Sequence, residues 1–216
     1  MGKGALLALG TVGAGGLGVG GLTLYNKFGK SAELKKSSLK YRYSQAILNE
    51  NDDGIWDKKY EALKTASPNN ALLKEAVNKA KASNSDKNGA LSLLKKGCAE
   101  VYSVREDDVE GLSDFKALCS KTNENATSST GSFISDSVSE SNDKWDTSLT
   151  SLKSYEGELD DILKKLKADI QTSQTTFPKD KKTELKNWCD AVKTGIFEGA
   201  NSVKFKGQES FCKSST

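Results

Sequence analysis

Apolar residues recur at helical spacing over most of this chain. Trp56, Tyr60 and Leu63 fall at i, i+4 and i+7, and so do Trp145, Leu149 and Leu152. Leu91, Leu94, Cys98 and Val101 make a second kind of face, matched by Leu185, Trp188, Cys189, Val192 and Ile196. A further face is Leu159, Ile162, Leu163, Leu166 and Ile170. Lys, Asp, Glu and Asn fill the positions between, and sustained strict alternation, the mark of strands, is hard to find. The only two prolines, Pro68 and Pro178, sit where helices are expected to begin. The pattern predicts an all-α body.

The N-terminus breaks this pattern. Residues 4–25 read GALLALGTVGAGGLGVGGLTLY and carry no charge. About 20 such residues are long enough to cross a bilayer as a helix. Dense glycine weakens a helix in water but is tolerated in membranes, and Gly16-x-x-x-Gly20 lets two helices approach closely. Residues 1–30 are therefore expected to be a membrane anchor or a signal segment. Lys3 and the run Ala5 to Leu9 resemble the start of a signal peptide, but no clear A-x-A cleavage site follows. A lipoprotein-type anchor has no cysteine to attach to, and Leu6 occupies a position where myristoylation wants Ser or Thr. Gly13 to Gly18 match G-x-G-x-x-G. A dinucleotide site would then need an amphipathic helix and an acid about 20 positions on. The chain instead continues apolar and then basic, so the match is low-complexity glycine.

The seven Trp and Cys residues carry an internal repeat. Trp56, Cys98 and Cys119 are spaced like Trp145, Cys189 and Cys212. Trp56-Asp57 with Leu63-Lys64 matches Trp145-Asp146 with Leu152-Lys153, and Leu94-Lys95-x-x-Cys98-x-x-Val101 matches Leu185-Lys186-x-x-Cys189-x-x-Val192. This predicts a duplicated unit of roughly 90 residues. Helical unit one is expected over 38–121 and unit two over 132–216, with Trp56, Leu63, Trp145 and Leu152 in the shared core. Residues 122–131, TNENATSSTG, have the composition of a linker. Asn125-Ala126-Thr127 within them is a formal glycosylation sequon.

Four cysteines allow three pairings, and the repeat favours the local one, Cys98–Cys119 with Cys189–Cys212. Loops of that length gain about 3 kcal/mol from closure if the geometry is unstrained. Four buried thiols in a reducing cytosol are the alternative. A zinc site lacks any C-x-x-C spacing. Paired cysteines imply an extracytoplasmic location. Lys27, Lys30, Lys35 and Lys36 behind the anchor argue for a cytoplasmic body by the positive-inside rule, and we weigh the cysteines above them.

Composition removes much chemistry. Histidine is absent, and with it the commonest general base and metal ligand. A net charge of +3 with interspersed signs is no footprint for nucleic acid. Asn49-x-Asn51-x-Asp53-Gly54 begins like a calcium loop, but its twelfth position is Tyr60 where a bidentate Glu is required. Glu156, Glu158, Asp160 and Asp161 are expected on a solvated face. No G-x-S-x-G occurs, and no S-x-x-K has supporting context. No catalytic, cofactor or metal residue is assigned, and no small-molecule substrate.

The glycine-rich start, the W-D-x-x-Φ-x-x-L-K stretch and the L-K-x-x-C-x-x-V stretch resemble the large paralogous family of uncharacterised proteins in haemotropic mycoplasmas. The resemblance covers most of the chain through loose motifs. It implies no catalytic residues, and it implies surface exposure and evasion of host immunity. The expected function is that of a membrane-anchored interaction or antigenic protein, held through residues 4–25, its body extracellular and facing a host or cell-surface partner. The runner-up is a cytoplasm-facing scaffold with free thiols, and a third class is a secreted Ser–Lys hydrolase.

Overall fold

Helices form where the apolar spacing predicts them. The computed structural model describes residues 37–84, 86–127, 130–141, 143–172 and 176–214. The expected anchor, residues 1–30 with its apolar run 4–25, lies outside the described residues. Among those described, no helix is long and apolar enough to cross a membrane. After a short α1 (Leu39–Arg42) and a 3-10 turn at Ser44–Ala46 come α2 (Asp53–Leu63), α3 (Ala71–Lys81), α4 (Lys87–Val101) and α5 (Val109–Asp114). α5 runs directly into a π-helical turn, Phe115–Cys119. A one-turn α6 (Asn123–Ala126) and β1 (Ser132–Phe133) lead to α7 (Lys144–Ser154), α8 (Asp161–Asp169), α9 (Lys179–Thr194) and α10 (Val203–Phe211), and β2 (Lys213–Ser214) follows.

The body is mostly helical and repeat-like. α2 packs on α3, α4 and the π turn; α7 packs on α8, α9 and α10. Buried apolar positions coincide between the two sets. Trp56, Tyr60 and Leu63 correspond to Trp145, Leu149 and Leu152, 89 positions on (56 to 145). Leu73, Ala76 and Ala80 correspond to Leu163, Leu166 and Ile170, 90 on (73 to 163). Leu94, Cys98 and Val101 correspond to Leu185, Cys189 and Val192, 91 on (94 to 185). Leu118 and Cys119 correspond to Phe211 and Cys212, 93 on (118 to 211). The offset changes only across connections, where extra residues disturb no helical face.

Local devices repeat as well. Asn70 and Asp160, 90 apart, are the N-caps of α3 and α8, and both accept from first-turn amides. The two matched tryptophans donate their indole N–H to a backbone carbonyl upstream, Trp56 to Asn49 at 2.8 Å and Trp145 to Asp136 at 3.1 Å. The residue after each second cysteine pairs antiparallel with the segment leading into its unit: Ser120 with Ile47, and Lys213 with Phe133. Two apolar clusters result. One is built on α2 to the π turn, the other on α7 to α10, with Ile196 and Phe197 of the second stretch packing on the first cluster.

Two expectations need correction. Residues 122–127 are not a solvated linker. Thr122 and Asn125 form a capping box, Asn123 is buried with its side-chain N–H2 on the Val192 carbonyl, and Thr122 pairs with Ile196. Ser37–Thr216 accordingly packs as one compact unit. Ile162 does not share the buried face of Leu159, Leu163, Leu166 and Ile170 but is 54% exposed. Asp160 caps the helix, which fixes its rotation about Leu163 and turns Ile162 outward.

Candidate groove between the two units

The four cysteines join as two local pairs, Cys98–Cys119 with Cα atoms 5.2 Å apart and Cys189–Cys212 at 5.6 Å. Both lie within the ordinary span for a disulfide. Each fastens the third helix of its set to the end of the fourth, and all four residues are buried. Trp56, Leu63, Trp145 and Leu152 are core residues as well. Among the described residues, no group of three or more Cys, Asp or Glu side chains is placed to hold a metal.

Buried charge is treated differently in the two units. Asp146 and Lys182 form an ion pair at 2.6 Å inside the second cluster. The ammonium also donates to the Ser139 and Ser141 carbonyls, and Asp146 accepts from the amides of Asp143 and Phe177. The matching Asp57 pairs with Lys87 at 2.8 Å in the open. Lys59 is buried at 7% exposure, and among the described residues it has no carboxylate partner and donates to the Ala117 carbonyl at 3.2 Å in the π turn. Burial pushes its pKa down from 10.5 to about 8. Its counterpart 89 positions on (59 to 148) is Ser148.

A groove of about 700 Å³ opens where the two sets meet. Its walls include Tyr43 and Lys116 from the first set, Asp160 and Ile162 from α8, and Asn187 and Trp188 from α9. Its carboxylates are engaged. Asp160 accepts from the Leu163 amide and, at 2.8 Å, from Trp188 Nε1. Glu184 pairs with Lys181 at 3.2 Å, and Glu198 with Arg42 at 3.7 Å. Lys116 and Lys204, exposed on the rim, have no ion-pair partner among the described residues.

Sequence reasoning placed Trp188 on an apolar face and gave it no role. The signal was its isolation: of seven Trp and Cys residues, it alone has no partner in the repeat. Position 97, its counterpart 91 positions back (188 to 97), is glycine. A Cβ at Gly97 would lie 2.7 Å from Leu73 Cδ2, so α3 and α4 touch there almost backbone to side chain. In the second unit the Trp188 ring fills that place. It lies over Gly207 of α10, where a Cβ would approach the ring to 2.8 Å. α8 and α9 then meet over a shorter stretch than α3 and α4. The acidic run divides accordingly: Asp160 is a cap and a tryptophan partner, while Glu156 and Glu158 are exposed. Asn125 of the sequon spends its side-chain oxygen on the Thr122 amide. Compared with family models, curated proteins and solved structures, the chain finds no match.

Proposed function

We propose that this chain is a surface-displayed, non-enzymatic interaction protein, anchored in the cell membrane through residues 4–25, whose two helical units arose by duplication and engage a host or cell-surface partner. The observation that carries the reading is the pair of buried, unit-internal cysteine bonds. Such bonds form and persist in oxidising compartments. Support comes also from a sequence without histidine, from the apolar N-terminus, and from the resemblance to haemotropic mycoplasma proteins. The basic residues Lys27, Lys30, Lys35 and Lys36 favour a second reading, a cytoplasm-facing scaffold. Protease shaving of intact cells separates the two. Peptides from residues 37–216 released from intact cells select display; their release only after lysis selects the scaffold. Non-reducing peptide mapping of the native protein should recover Cys98 joined to Cys119 and Cys189 to Cys212, and four free thiols would defeat the proposal.

A further inference from the structure

Asp143, Asp146 and Lys182 are brought together by the starts of two helices. Asp143 caps α7, and Asp146 stands in its first turn, the two joined in a capping box. Lys182 stands in the first turn of α9. The side chains of Lys182 and Asp146 are shut off from water, at 0% and 1% exposure. The matching position of the first unit, 91 back (182 to 91), is Leu91, which packs on the first apolar cluster. An apolar side chain therefore serves the fold at that place. An enclosed ion pair gains little over such a filling, so packing alone does not account for the lysine.

The three side chains hold what amide formation needs. Lys182 Nζ lies 2.6 Å from Asp146 Oδ2 and 3.6 Å from Asp143 Oδ2. The Ser139 and Ser141 carbonyls hold Nζ against Asp146. The Phe177 amide donates to Asp146 Oδ1 at 2.8 Å, where it can stabilise charge that develops on that oxygen. Two groups fixed in contact react as if at very high concentration. We propose that Lys182 and Asp146 join in a self-formed side-chain amide, with Asp143 as the proton carrier. One proton passes from Nζ to Oδ2, which leaves a neutral amine beside a neutral acid. The nitrogen lone pair attacks Asp146 Cγ and makes the C–N bond. Asp143 takes a second proton from Nζ and returns it to Oδ2, which departs as water with the electron pair of the broken C–O bond. The third proton stays on the amide nitrogen, and Oδ1 becomes the amide oxygen. No oxidant or further reactant is consumed. The bond ties α7 to α9, and Cys189–Cys212 ties α9 to the end of α10, so reduction alone does not open the second unit. This inference goes beyond the interaction reading and does not depend on it.

The test is the mass of the full-length chain, purified in detergent with both disulfides shown intact, then denatured and reduced. The chain should be lighter than its sequence by one water. Tryptic mapping should recover residues 145–153 joined to residues 182–186 as one branched peptide, stable to hydroxylamine. Asp53-Gly54 can lose water as a succinimide, but hydroxylamine opens that product. Lys182→Met should abolish the branched peptide. Asp143→Asn keeps a residue able to cap α7 and should slow bond formation at least about tenfold in a chain whose disulfides still form. Asp57→Ala, which opens an exposed pair in the first unit, should leave the bonded fraction unchanged. A chain of full mass overturns the proposal. So does a loss of water that persists in Lys182→Met or maps to another pair, and so does an Asp143→Asn chain that bonds as fast as the wild type.

Discussion

Lys59 offers the sharpest test of the packing. Its ammonium is buried at 7% exposure with one carbonyl, and desolvation lowers its pKa from 10.5 to about 8. The sign follows from proton counts. Between those two values the unfolded chain holds a proton that the folded chain has released, so stability rises with pH there. Below about pH 8 the folded protein must carry the buried charge, and the whole penalty is present. A depression of that size is equivalent to about 3 kcal/mol at neutral pH. Raising pH from about 7 to about 9.5 should recover about 2 kcal/mol of it. Lys59→Met keeps the length of the side chain, removes the charge and leaves the Ala117 carbonyl without its donor, a loss of about 1 kcal/mol. The variant should therefore be about 2 kcal/mol more stable at neutral pH and lack the rise. Urea unfolding of residues 31–216, disulfides intact, followed by tryptophan fluorescence at both pH values, measures this. Parallel pH profiles for the wild type and the variant would show that the ammonium is solvated and the argument wrong.

Other outcomes follow from the same contacts. Asp146→Ala strands Lys182 in the second cluster and should cost about 3 to 5 kcal/mol, whereas Asp57→Ala, which opens an exposed pair, should cost less than about 1 kcal/mol in the same urea assay. Cys119→Ser should lower amide-exchange protection in α2 to α5 more than in α7 to α10, because the bond it breaks is internal to the first set. Deleting residues 1–26 should move the protein from the membrane to the soluble fraction on sedimentation; a truncated chain that still pellets with vesicles would require a second anchor.

Much of the frame was legible in the sequence, for a physical reason. Trp56 and Trp145, Leu94 and Leu185, and the four cysteines mark faces that a helix must bury, and burial restricts what can replace them. The cysteine pairing followed from their place in the repeat. Other features depend on contacts between distant segments. The TNENATSSTG stretch has the composition of a spacer, yet Asn123 finds the Val192 carbonyl 69 residues away. Ile162 has the right spacing for a core position, but the cap at Asp160 decides the rotation. Lys59 and Lys182 look like any surface lysine in a charged helix; only the π turn against Lys59 and the Asp146 carboxylate of α7 against Lys182 reveal that they are inside. The groove left one trace in the sequence, the unmatched Trp188, but its other walls come from segments far apart in the chain.

Differences between two otherwise matched units carry more information than either unit alone. At shared core positions the side chains vary little in character, as with Leu73 and Leu163 or Val101 and Val192. The exceptions include Lys59 against Ser148, Gly97 against Trp188, Phe115 against Gln208, and the exposed Asp57 against the buried Asp146. Trp188, Gln208 and Asp146 make the second unit more open and more polar inside. Trp188 separates helices that lie close in the first unit, and Lys182 gathers the carbonyls of Ser139 and Ser141 into the core. A buried ion pair adds little net stability over an apolar filling, so its use here is to fix the irregular segment that leads into α7. That segment, the Trp188 wall and α10 all belong to the second unit. The first unit, closed at Gly97, contributes Tyr43 and Lys116 to the groove's walls.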